Sequence, residues 1–82
     1  MNAKQMKLFR EEILRALRDG PKTTHQIYGI LKRECPKYCN DTKKHFGSRL
    51  MWKHRVNNLM YSMQKELLIY LDKGANVWRI VE

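Results

Sequence analysis

Residues 48–81 read SRLMWKHRVNNLMYSMQKELLIYLDKGANVWRIV, and the fold turns on a change of period inside this stretch. Trp52, Val56, Leu59, Met60, Met63 and Leu67 recur at helical spacing. At about 100° per residue they fall within roughly 60° of Val56, one apolar stripe. Opposite them lie His54, Asn58, Tyr61 and Lys65, with Lys53 and Asn57 on one flank. Ser48 is a residue type that caps helix N-termini, so a helix is predicted over residues 48–66. Leu50 and Met51 lie off the stripe, which predicts packing under the preceding segment or against a partner. The period then changes. Residues 68–71 and 77–81 are short runs of branched and aromatic residues joined by Asp72-Lys73-Gly74-Ala75-Asn76, a β-hairpin signal. Trp78 and Ile80 share one face of the second strand, and Val77, Arg79 and Val81 share the other. Two strands alone are marginally stable, so the hairpin has to lean on the helices, with Trp78 as its anchor.

Upstream, Met6, Phe9, Ile13, Ala16 and Leu17 form the stripe of an amphipathic helix over residues 4–18. Gly20 and Pro21 stop it, because Gly accepts backbone conformations beyond a helix end and Pro cannot continue the hydrogen-bond ladder. Thr23 and Gln26 have the spacing of a capping box, opening a second helix over residues 24–34. Ile27, Ile30 and Leu31 give that helix its core face. Gly29 in its interior costs about 1 kcal/mol relative to Ala, which predicts close approach of another helix. Pro36 ends the helix by disfavouring helical geometry at Cys35. Residues 35–47 then lose all periodicity, and this long connection carries Lys37, Lys43 and Lys44.

An 82-residue chain has room for one core, so residues 1–82 are predicted to form a single α+β domain. Seventeen Lys and Arg against eight Asp and Glu give a net charge of +9, a balance that favours encounter with polyanions. The charge is not spread evenly, for Lys32 to Arg55 holds eight Lys or Arg against Glu34 and Asp41. No apolar run approaches the roughly 20 residues that span a bilayer, and the first residues lack a signal-peptide core. A cytoplasmic protein with no membrane association is therefore expected. Cys35 and Cys39 are too few for a secreted disulfide framework. They are expected to be free thiols or one disulfide, with a zinc site that adds His45 as the lesser alternative. No nucleophile is paired with a base, no acids are paired and no Gly-rich phosphate loop is present. The expectation is a protein without enzymatic activity, cofactor or small-molecule substrate.

The order helix, helix, basic helix, hairpin resembles the winged helix-turn-helix superfamily, particularly small archaeal or viral transcription regulators. The resemblance rests on TTHQIYGIL (residues 23–31), RVNNLMYSMQKELLIYL (residues 55–71) and NVWRIV (residues 76–81), and extends over residues 6–81. The connection at residues 35–47 departs from the pattern, being longer than the turn of a compact helix-turn-helix. The resemblance implies a sequence-specific, double-stranded-DNA-binding transcription regulator. Its third helix would enter the major groove and its hairpin, the wing, would meet the backbone. On this sequence the implied recognition residues are Arg49, Lys53, His54, Asn57, Asn58 and Tyr61. The implied phosphate contacts are Lys43, Lys44, Lys73 and Arg79, with Thr23 and Thr24 offering hydroxyls and backbone N–H groups. A homodimer is expected, because one recognition helix covers about a half-site. The alternative is a protein-interaction module that binds an acidic partner through Leu50, Met51 and Tyr61.

Overall fold

Asn2 and Gln5 close a capping box, each side chain accepting from the other's backbone N–H, and so start helix α1 (Ala3–Arg18). The computed structural model describes residues 2–40 and 50–82. Among them α1 is followed by α2 (Thr24–Glu34), a 3₁₀ turn (Pro36–Tyr38), α3 (Met51–Lys65) and the strands β1 (Ile69–Asp72) and β2 (Val77–Ile80). The architecture is α+β, three helices followed by an antiparallel hairpin in the register Ile69↔Ile80 to Asp72↔Val77. No helix among the described residues is long and apolar enough to cross a membrane.

The predicted stripes meet in one core. Phe9, Ile13 and Leu17 of α1, Ile27 and Leu31 of α2, and Trp52, Val56, Leu59, Met60 and Met63 of α3 are all buried. Ile69 and Trp78 join them from the inner face of the hairpin. Trp78 ties the pieces together. Its backbone exchanges two hydrogen bonds with Lys22, at 3.2 and 2.7 Å, so the segment between α1 and α2 pairs with the free edge of β2. Its indole N–H donates to the Thr24 Oγ1 at 3.1 Å, which satisfies the polar handle a buried indole brings with it. The Tyr61 ring meets it edge-on at 5.3 Å. The opposite edge of the hairpin is blunted, because Gln64 of α3 accepts the outward-facing Leu71 N–H at 2.8 Å.

Several local expectations are corrected. Helix α3 begins at Met51, and Leu50 occupies the N-cap position predicted for Ser48, which lies outside the described residues. Leu50 packs against the core, and burying even part of a Leu outweighs the roughly 1 kcal/mol of a side-chain cap. Met51 is half-buried, so neither residue is an exposed knob. Leu67 leaves the stripe because α3 stops at Lys65. The Leu67 N–H turns back to Gln64 O and that of Leu68 to Met63 O, a Schellman closure with Leu67 at φ 63° and 75% exposed. Met6, one turn before Phe9, overhangs the core edge and is exposed, while Ile30 is only partly buried. Gly29 approaches no helix, since a Cβ built there would meet nothing within 4 Å. The contact of α2 with α3 runs instead through the neighbouring Tyr28, whose hydroxyl donates to the Lys53 carbonyl at 3.3 Å. Gly20 is needed where it stands, its φ of 145° being one that side chains rarely permit.

Two substitutions test these assignments by urea denaturation. Trp78→Ala is expected to cost about 3–5 kcal/mol, as for large aromatic truncations in a packed core. Leu67→Gly is expected to raise stability by about 1 kcal/mol, by releasing left-handed strain at an exposed side chain. A destabilised Leu67→Gly would mean that Leu67 makes contacts its exposure does not reveal.

Candidate nucleic-acid interface

The amphipathic pattern that buries one face of α3 presents the other to solvent. His54, Asn58, Tyr61 and Lys65 follow one another at spacings of three or four residues along the solvent side, His54 half-buried and the other three exposed, with the half-buried Asn57 beside them. The Asn58 amide nitrogen lies 3.4 Å from His54 Nε2, one turn of helix linking the two polar heads. Tyr61 is 43% exposed while its ring rests on Trp78, so its outer edge faces solvent beside the hairpin. Residues 42–65 contain no Asp or Glu at all.

Lys53 takes a different direction from its neighbours. Its ammonium lies 5.4 Å from the Tyr28 ring centre and 5.7 Å from that of Trp52, over the seam between α2 and α3. The sequence did not expose this pairing, because Tyr28 belongs to another helix and no period links it to residue 53. Thr23 is the N-cap of α2, with Oγ1 accepting from the Gln26 N–H at 3.1 Å and its own N–H donating to Gln26 Oε1 at 2.8 Å. The Thr24 oxygen accepts from Trp78. Both hydroxyl oxygens of this pair therefore serve the fold. On the hairpin, Lys73 is exposed in the four-residue turn, and Arg79 donates through Nε to Asp72 at 2.9 Å. Four of the five N–H donors of that guanidinium lie outside this bond. Arg49, Lys43, Lys44 and His45 lie outside the described residues.

The carboxylates are largely occupied. Among the described residues ion pairs join Arg10 to Glu66, Arg15 to Glu12, Lys22 to Asp19, Arg33 to Glu34 and Arg79 to Asp72. The hydrogen bond from Arg10 holds the Glu66 carboxyl below the usual carboxylate range. Arg79 does the same for Asp72, helped by the Ala75 N–H. These pairs leave the positive excess on other side chains, including Lys53 and Lys65 of α3 and Lys73 of the turn.

The two cysteines are not joined, so of the two expected alternatives the structure shows two thiols and not the disulfide. Both are buried as small core residues, and the Cys39 thiol points at the Leu31 carbonyl, 3.5 Å away, near the end of α2. Burial, with Glu12 and Glu34 nearby, pushes the Cys35 thiol up and keeps it protonated, the opposite of what a nucleophile or metal ligand requires. Among the described residues no group of three or more His, Cys, Asp or Glu converges to hold a metal.

Comparison with protein-family models, with curated proteins and with solved structures gives no match.

The ion pairs make a prediction about acid. Both Glu66 and Asp72 have folded-state values below their unfolded ones, so their contribution is complete above the ordinary carboxylate range. It is lost as pH falls through the lowered values. A Glu66→Gln, Asp72→Asn double variant should show a shallower loss of stability between neutral pH and pH ~3 than the parent chain. Parallel acid limbs in urea titrations would show that the pairs carry no linkage.

Proposed function

We propose that this chain is a winged helix-turn-helix protein that binds double-stranded DNA, with α3 in the major groove and the hairpin turn against the backbone. The observation that carries the reading is the solvent side of α3. It offers the exposed Asn58 and Tyr61 and the half-buried His54 and Asn57, polar groups that can meet base edges, along a segment without one carboxylate. A B-DNA major groove about 12 Å wide accepts such a helix, and Asn is suited to bidentate contact with adenine. Two further features support it. The hairpin is held beside α3 through Trp78 and Gln64, which puts Lys73 on the same body at a distance from the helix face. The bridge between Lys22 and Trp78 adds a short third pairing to the hairpin between the first two helices, a placement that suits a wing built on this scaffold.

The reading includes a regulator of transcription that works as a homodimer on a pseudo-palindromic site, and a binding protein without catalysis. Arg49, Lys43 and Lys44 would extend the contact surface beyond the described residues. A second reading, a protein-interaction module, is favoured by the exposed apolar group of Leu67, Tyr70 and Val81 at the hairpin base.

Fluorescence anisotropy with labelled duplexes separates the two. If each subunit neutralises about four phosphates, log K falls against log salt with a slope near −3.6. Asn57→Ala and Asn58→Ala should each cost about 1–3 kcal/mol on a preferred sequence and flatten the preference. Lys73→Ala should weaken all sequences alike. Affinity that ignores salt, or no binding at physiological salt, would favour the interaction module.

A further inference from the structure

The interior glycine of α2 has no packing reason. A Cβ at Gly29 would meet nothing within 4 Å, and the residue is exposed, so Ala would fit and would favour the helix. What its missing side chain does create is an open stretch of helix surface between His25 and Lys32, which stand on the same face one turn before and one turn after. Opposite that stretch lies the first turn of α3, and the groove between the two is lined by His25, Tyr28, Gly29, Lys32, Trp52 and Lys53. Its polar heads are held rather than loose. Lys53 rests over the Tyr28 and Trp52 rings, the Lys32 ammonium donates to the Cys39 carbonyl at 2.8 Å, and the His25 ring packs edge-on to Tyr28 at 6.5 Å. Two ammonium groups flank a gap with an aromatic wall and, among the described residues, no carboxylate in its lining.

We infer that this groove is a seat for a phosphodiester of the DNA backbone, with Gly29 giving the strand room to approach α2 and Lys53 and Lys32 supplying the positive charge. The inference rests on the DNA-binding reading and sharpens it, because it moves Lys53 from base reading to phosphate contact. A lysine held over two rings at the seam points away from the His54–Asn58–Tyr61 row. An ammonium also suits a phosphate as a point charge better than it suits the planar edge of a base. Arranged this way, the groove is the sequence-independent part of the interface and the α3 row is the sequence-dependent part.

Gly29→Leu fills the gap with an apolar side chain that cannot contact phosphate, and should move stability and affinity in opposite directions. The melting temperature should rise by roughly 4–8 °C from the better helix former. Affinity for every duplex should fall by the same factor, with the order of preference among sequences unchanged. Lys53→Gln should likewise weaken all sequences alike and make the salt slope shallower by about 1. A more stable Gly29→Leu variant that binds duplexes as tightly as the parent overturns the phosphate seat and leaves DNA binding intact. A change of sequence preference in Lys53→Gln overturns it as well, returning Lys53 to the base-reading row. No duplex binding by the parent chain overturns both readings together.

Discussion

The burial of Trp78 is the constraint on which the rest of the structure depends. A hairpin of two four-residue strands has too little core of its own to persist, and one large side chain connects it to everything else. Through its backbone Trp78 captures the segment between α1 and α2. Its indole N–H reaches the first residue of α2, and its ring lies against Tyr61 of α3. Burying an aromatic of this size contributes about 3 kcal/mol, a large share of the margin a chain of this length can hold. The cost of hiding a polar N–H is removed by Thr24, which explains why a residue at a helix N-terminus turns inward rather than toward solvent.

That arrangement determines what α3 can display. Its stripe is consumed by Trp52, Val56, Leu59, Met60 and Met63, and Gln64 is drawn to the edge of β1. The remaining face is polar, uncharged or positive. The acids that would spoil its potential are absent from residues 42–65 and elsewhere are mostly paired with Arg or Lys on α1, α2 or the hairpin. Distribution, more than the net charge of +9, is what supports the proposed polyanion surface on the α3 side.

The element order was legible because the apolar periods are strong. Phe9, Ile13, Leu17, Val56 and Met63 are core residues on spacing alone, and the shift from helical to alternating period placed the hairpin. Boundaries were less legible, since they depend on contacts that spacing does not contain. Leu50 displaces Ser48 at the start of α3 because the core takes it, and Leu67 is expelled because the closure after Lys65 forces a left-handed turn. At the candidate site, the α3 row could be read from helical geometry, whereas the Lys53–Tyr28–Trp52 cluster and the inward Thr24 required the packing of separate elements. Gly29 shows the limit most plainly. Its cost inside a helix suggested close approach of another helix, and its actual surroundings are open.

The central claim is that the α3 face reads base sequence in duplex DNA. Selection of bound sequences from a random duplex library at physiological salt tests this most directly, with an Asn57→Ala, Asn58→Ala double variant selected in parallel. A defined site enriched by the parent chain and degraded at particular base pairs in the variant is the expected result. A parent chain that enriches no site, or a variant that enriches the same site equally well, would contradict it.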